Sequence, residues 1–294
     1  LSGASISPHV GHDVVSNTVD SALIGELPLS PRTQHRRFFR LTHRLGIDRL
    51  EPRGPDCPRW RMPTPASQAD LDLAIDIIKQ AGRYTLDFFR SEELEILHKS
   101  DGSRVTQADR GAEHLIRDLI HAAHPEDAVL GEEHGSVDGT TGRRWVIDPI
   151  DGTHAFTHGV GLYSNLLYLE DDEGPAIGVI YVPVLDEIVA AGRGLGCFFN
   201  GEPCRVSDHA TFEAAVLTTS GFDYWDEDML VRARNSELKL RTWGDGYGYL
   251  LVATGRAHAM VDPVINISDI APSQLINPEA GGRIIMLDGP DDPR

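Results

Sequence analysis

The stretch WVIDPIDGTHAF, residues 145–156, constrains the fold more than any other part of the chain. An apolar run of Trp145, Val146 and Ile147 meets two aspartates, Asp148 and Asp151, with Pro149 between them and Gly152 just after. The run predicts a buried strand over residues 143–148. Proline has no amide for a ladder and glycine admits unusual torsions, so the strand is expected to end in a tight loop. The residues GTHAF then have room to start a short helix. Both carboxylates would hang at this strand-to-helix corner. Close carboxylates raise each other's pKa unless something positive lies between them. Hard divalent cations prefer such oxygen ligands, and magnesium keeps waters and shares a substrate phosphate. The N–H groups of Gly152 and Thr153 suit a phosphate oxygen. A solvated Asx turn would use the same residues, so this motif alone leaves both readings open.

Further acids shift the balance. The run AVLGEEHG ends another predicted strand with Glu132 and Glu133, and ISDIAP puts Asp269 at a helix start. Each alone reads as a cap or a surface acid. Three acidic element ends in one very acidic chain point to a shared cation cluster. The net charge is −18, unevenly spread: residues 1–61 hold nine arginines and six acids, and the remainder holds 18 basic and 39 acidic groups. Such a surface repels nucleic acid backbones. It also makes an anionic substrate awkward unless cations intervene.

The 294 residues, 40% apolar and 24% charged, have the composition of a globular protein with a sizeable core. No apolar run approaches the roughly 18 residues of a membrane span, and no basic-then-apolar leader opens the chain. Cys57, Cys197 and Cys204 form no CxxC pair, a sparse set that fits a reducing cytoplasm. Residues 1–61 are rich in Ser, Pro, Arg and His and read as a poorly ordered basic extension, with the functional domain expected over 62–294. Helical spacing begins at Ser67, with Leu71, Ala74, Ile75, Ile78 and Ala81 on one face and Ser67 with Asp70 as a cap. A second helix is predicted over 106–123, stopped by Pro125. Five short strands follow to residue 192, then a hairpin turning at Asn200-Gly201. The later part mixes strands with helices near 226–235, 247–255 and 269–282. Without strict βαβ alternation, the pattern predicts layered α and β elements rather than a Rossmann fold. GRGLG and GDGYG miss the dinucleotide fingerprint, and His121 with His124 lack a third metal ligand.

The segments GEEHG, WVIDPIDGTHAF and SDIAPSQLINPEAGG resemble, in order and spacing, the signature segments of the inositol monophosphatase superfamily, over about 67–287. The resemblance implies an α+β fold, the layered αβαβα sandwich of the inositol monophosphatase and fructose-1,6-bisphosphatase type. A metal-binding half is expected over 62–205 and a substrate-side half over 206–294. The implied activity is magnesium-dependent hydrolysis of a small-molecule phosphate ester, with two or three ions per site. Glu132, Asp148 and the Ile150 carbonyl would bind the first ion. Asp148, Asp151 and Asp269 would bind the second, with Glu133 in the outer shell or at a third, weaker ion. Thr153, held by Asp109, would orient the attacking water with Glu132. Lys99 would lie on a loop that closes over the metals, and the phosphate would rest on the Gly152 and Thr153 amides. Water attacks phosphorus in line, with no covalent enzyme intermediate needed. Dimers are common among such relatives.

The stretch GDGYGYLLVATG resembles the histidinol-phosphatase branch of this superfamily. It places Asp245 where the inositol branch has a small neutral residue, and Asp262 where that branch has a substrate-contacting acid. Histidinol phosphate carries an ammonium and an imidazole, whereas inositol phosphate carries hydroxyls. Added acid beside the leaving group favours the cationic alcohol; a helix cap is the other reading of Asp245. The expected activity is therefore hydrolysis of L-histidinol phosphate, with inositol-1-phosphate hydrolysis as the alternative. A weakly active phosphate-binding or assembly subunit is the alternative from another class. Ser268 and the short stretch after GGRIIMLDG motivate it. Ser268 replaces the tryptophan usual before the last metal aspartate, and Pro278 should kink or end an expected helix. With a short stretch after GGRIIMLDG, they lead to the expectation of a truncated copy with weak magnesium affinity and marginal stability.

Overall fold

The computed structural model describes residues 19–24, 63–99, 102–209 and 211–286. An eight-stranded sheet is drawn from β4 (Ala128–Gly131), β5 (Gly135–Val137), β6 (Arg144–Asp151), β7 (Ser164–Asp171), β8 (Gly174–Val182), β9 (Glu187–Gly192), β10 (Gly196–Phe199) and β11 (Glu202–Pro203). Its order is β11-β10-β9-β8-β7-β6-β4-β5. The central strands alternate between two cores. Leu167 and Leu169 of β7 with Ile177, Val179 and Tyr181 of β8 pack on one face against helix α1 (Gln68–Phe88) and helix α2 (Gln107–Ala123). Leu166, Ile180 and Val182 point to the other face. Period-two alternation on both faces is what a sheet buried between helices requires.

The other face packs on helix α5 (Asp245–Ala253) and helix α7 (Ser273–Glu279) through Tyr249, Leu250, Leu275 and Ile276. Beyond these helices lies a five-stranded sheet. It contains β1 (Val19–Ile24), β12 (Val216–Thr218), β13 (Lys239–Arg241), β14 (Ala259–Ile265) and β15 (Ile284–Met286), in the order β13-β12-β14-β1-β15. Helix α4 (Glu227–Asn235) covers it from outside, where Trp225 and Ala233 pack on Leu217 and Val261. Helices, sheet, helices, sheet and helix make the expected αβαβα sandwich. A small hairpin of β2 (Ile96–His98) and β3 (Arg104–Thr106) stands apart from both sheets.

The first helix starts where the cap predicted, with the Ser67 hydroxyl accepting from the Asp70 amide. The hairpin also turns at Asn200-Gly201, whose positive φ angles suit it. It brings Cys197 and Cys204 to 3.4 Å between sulfurs, both as free thiols.

Three expectations are corrected. β6 does not stop at Asp148 but runs to Asp151, with a register shift against β7. Its other neighbour, β4, ends opposite Ile147, so the amide that Pro149 lacks has no ladder partner to lose. The single helix expected over 269–282 is two: α6 (Ile267–Ile270) and α7, separated at Ala271-Pro272. Pro278 sits in the last turn of α7, which ends one residue later, as a helix-ending proline should. Third, Val19–Ile24 form a strand between β14 and β15, so six residues of the expected poorly ordered extension belong to the sheet. Backbone pairing on both sides satisfies an edge that β14 would otherwise expose. The remainder of the 1–61 extension lies outside the described residues.

Candidate active site

The site forms where β6 breaks register. Asp148 and Asp151 are 2% and 6% exposed, and the Asp148 carboxylate accepts the Ile150 amide at 3.1 Å. The Asp151 carboxylate accepts the Ser164 hydroxyl of β7 at 2.6 Å and the Gly246 amide of α5 at 2.5 Å. It is therefore held from both layers that enclose it. A Cβ on Gly246 would stand 2.4 Å from Ser164 Oγ and 2.8 Å from Asp151 Oδ2, so only glycine lets that amide come so close. Asp269, in α6, completes the group. Asp148, Asp151 and Asp269 each offer an oxygen, and these lie within 4.8 Å of one another.

Electrostatics mark these acids as unusual. Burial first, then Glu132, Asp151 and Asp269, raise the Asp148 pKa well above the ordinary carboxylate range. Burial, then Asp245 and Asp269, do the same to Asp151. Among the described residues, none of the three forms an ion pair with a lysine or arginine. Close, buried oxygens without a cationic partner suit a hard divalent cation.

Glu132 and Glu133 follow β4 at the same end of the sheet. Lys99, after β2, reaches both, with its ammonium 2.8 Å from Glu132 and 2.7 Å from Glu133. Burial works against the charge on Lys99, but the two glutamates outweigh it and hold its pKa above the usual lysine range. Burial pushes Glu133 up to about 6, and Lys99 opposes that rise.

Asp109 is fully buried at the start of α2. It accepts the Thr106 amide at 2.8 Å and the Thr106 hydroxyl at 2.5 Å, a reciprocal capping box. Burial raises its pKa to about 6 against those hydrogen bonds. The Thr153 hydroxyl lies 3.3 Å from Asp109 Oδ1 and 2.9 Å from the Ile150 carbonyl. Thr153 opens helix α3 (Thr153–Thr157) behind Gly152, whose φ of 79° turns the chain out of β6.

Asp269 is well fixed despite Ser268. The Ser268 hydroxyl donates to its Oδ1 at 2.9 Å, and the Asn266 amide and side chain donate to Oδ2 at 3.1 and 3.3 Å. Hydrogen bonds thus supply here what tryptophan packing was expected to supply.

The two further acids part company. Asp245 stands over the corner, with Oδ2 2.8 Å from where a Cβ on Gly152 would be. Burial, then Asp262, push it up to about 6, against the Ser220 contact. Asp262 stands behind Asp245, close enough to raise its pKa. It is 5% exposed, and its oxygens accept the Ser220 amide at 3.0 Å and the Tyr249 hydroxyl at 2.8 Å. It fixes Ser220, whose hydroxyl in turn accepts the Asp245 amide at 2.9 Å. Ser164 and the Gly246 amide escaped the sequence reading because both act through hydrogen bonds across layers. Glu113 escaped too, although a carboxylate on the face that carries Ala112, Ile116 and Ile120 was a readable signal.

The arrangement has relatives. The inositol monophosphatase family matches residues 67–293. A histidinol-phosphatase of Chlorobaculum parvum is 42% identical over 217 residues, 72% of this chain and 84% of that protein. A histidinol-phosphatase of Mycobacterium tuberculosis is 34% identical, over 76% of this chain and 89% of its own. An inositol-1-monophosphatase of Mesorhizobium japonicum is 32% identical, over 77% and 89%. The solved structure of the extragenic suppressor protein suhB of Bartonella henselae superposes with a TM-score of 0.68 at 30% identity, covering 73% of this chain and 86% of that one. A Thermotoga maritima inositol monophosphatase gives 0.66 at 31% identity, covering 73% and 84%. The acids gathered at the end of β6 therefore stand in a phosphomonoesterase: the chain belongs to the inositol monophosphatase family.

Proposed function

We propose that the chain hydrolyses L-histidinol phosphate to L-histidinol and phosphate with magnesium as cofactor. The observation that carries the substrate assignment is Asp245 placed directly over Gly152. The relatives named histidinol-phosphatase, at 42% and 34% identity, support it. A phosphate resting on the Gly152 and Thr153 amides puts its leaving alcohol within reach of that carboxylate. An ammonium or imidazolium on the alcohol meets a complementary charge there, and a neutral polyol does not.

The donor set fits magnesium, because it is all oxygen and close-set, and its three aspartates pair with no lysine or arginine among the described residues. Glu132, Asp148 and the Ile150 carbonyl would hold one ion, and Asp148, Asp151 and Asp269 a second. Glu133 stands beside them as an outer group or the ligand of a third. When bound, such ions offset phosphoryl charge and lower the pKa of an attacking water. The chain supplies the rest. Thr153, within reach of Asp109, places its hydroxyl where, with Glu132, it orients water for in-line attack. Asp109 keeps Thr153 in position through its own tie to Thr106.

The test is phosphate release with and without magnesium from histidinol phosphate, inositol 1-phosphate, adenosine bisphosphate and fructose bisphosphate. Magnesium-dependent turnover highest on histidinol phosphate is expected. Faster turnover of inositol 1-phosphate would overturn the substrate assignment. Magnesium binding without turnover of any ester would favour the phosphate-binding or assembly subunit.

A further inference from the structure

The turn that carries Glu132 and Glu133 is gripped from behind by a residue that touches no part of the reaction. Glu113, on α2, has a fully buried side chain. Its Oε2 accepts the Glu133 amide at 2.7 Å, and its Oε1 accepts the His134 amide at 3.2 Å. The Glu132 amide, one residue earlier, donates to the Ile147 carbonyl of β6 at 3.2 Å. Three successive amides are thereby tied to the structure behind the turn. Arg117, one helical turn on, donates to Glu113 Oε1 at 2.7 Å and also to the Gly135 carbonyl on the far side of the turn. The ring of His134 lies 3.4 Å from the same oxygen. The fit is close, because a Cβ on Gly131 at the end of β4 would stand 1.9 Å from Glu113 Oε1.

The grip opposes a definite force. Glu132, Glu133 and Asp148 are like charges gathered at one end of the sheet, and Glu132 raises the cost of ionising both of the others. Lys99 offsets part of that charge, and the remainder pushes the turn outward. A carboxylate that accepts two consecutive amides resists that push, and charge-assisted hydrogen bonds are the strong kind. Groups that orient metal ligands from behind commonly affect metal affinity by about 10–100-fold. We propose that Glu113, balanced by Arg117, is a positioning residue that sets the affinity of the Glu132–Glu133 turn for magnesium. This rests on the reading of Glu132 as a ligand.

The test is calorimetric titration of the full chain with magnesium alone, alongside the metal-free melting temperature, for wild type, Glu113→Gln, Glu113→Asp and Arg117→Gln. Glu113→Gln is expected to weaken magnesium binding about tenfold. Glu113→Asp keeps the charge but shortens the reach, and is expected to fall between that variant and wild type. Arg117→Gln should shift affinity in the same direction by less. A purely architectural role would lower the melting temperature and leave the affinity unchanged. A folded Glu113→Gln that binds magnesium within about twofold of wild type would overturn the proposal. Should that variant not fold, Glu113→Asp decides by the same criterion. A wild-type chain that binds no magnesium removes the metal reading itself, which separates the two failures.

Discussion

At the amino-terminal end of β6, the buried carboxylate of Asp127 is answered on every side. Trp145 donates to it at 2.9 Å and Thr141 at 2.7 Å, and the Arg143 guanidinium lies 3.0 Å away. At the carboxy-terminal end of the same strand, Asp148 and Asp151 are equally buried and meet other carboxylates instead. One end closes its electrostatic account within the chain and the other leaves it open. Buried charge costs several kcal/mol unless it is matched. An unmatched cluster at a strand end, beside a matched one, is therefore where a cation from outside the chain would fit. Acidity alone does not distinguish the two ends; partnership does.

The contrast can be broken most directly at Asp151. Asp151→Asn is expected to lower turnover roughly a thousandfold, the several kcal/mol that a bound cation supplies. The metal-free variant should melt at or above the wild-type temperature, because a repelling charge is gone. Asp127→Ala should do the reverse. Stability in denaturant falls by about 3 kcal/mol, because the Trp145 N–H loses its partner and Arg143 one of its two carboxylates, while magnesium affinity stays unchanged.

The next test varies pH. Asp109, Glu133 and Asp245 have folded-state pKa values near 6, above their ordinary 3.8, 4.5 and 3.8, and burial with neighbouring carboxylates also raises Asp148 and Asp151. A raised carboxylate favours the fold below its unfolded pKa, and that advantage is lost as pH rises through the folded value. The metal-free chain should therefore melt at a higher temperature near pH 5 than near pH 8. Saturating magnesium should flatten or reverse the trend, since protons then compete with the ion.

A subtler test concerns discrimination. Asp245→Asn is expected to reduce the preference for histidinol phosphate over inositol 1-phosphate about tenfold, about 1.4 kcal/mol of lost charge complementarity, measured as a ratio of kcat/KM values. The smallest effect is expected at Ser268→Ala. Loss of one hydrogen bond to Asp269, worth about 1 kcal/mol, should raise the magnesium needed for half-maximal activity about fivefold. A weaker response would mean that Asn266 alone holds that ligand.

The fold class and the acids gathered at the end of β6 were legible in the chain, and the course of individual elements was less so. DPIDG and GEEHG announce their carboxylates only in combination, since each alone also reads as a solvated turn, a cap or a surface acid. The extent of β6 was not legible, since whether Pro149 can sit in a strand depends on β4 ending opposite Ile147, a fact of the sheet. The same holds for Asp262. Its position in the motif suggested a substrate contact, but Tyr249 and the Ser220 amide claim it, and only tertiary packing brings them there. Residues 19–24 carried no strong strand signal, and their place is decided by the two strands that flank them.

The amide of Gly246 against Asp151 has a consequence for how such an enzyme can change its diet. Side chains at 246 and 248 would collide with Ser164, Asp151 and Met260, so these positions are closed to variation. Position 245, between them and Gly152, remains partly open to solvent, whereas Tyr247 packs on Arg256. New leaving groups can be accommodated only through residue 245 of this helix start, which lets selectivity drift while the hold on Asp151 stays fixed.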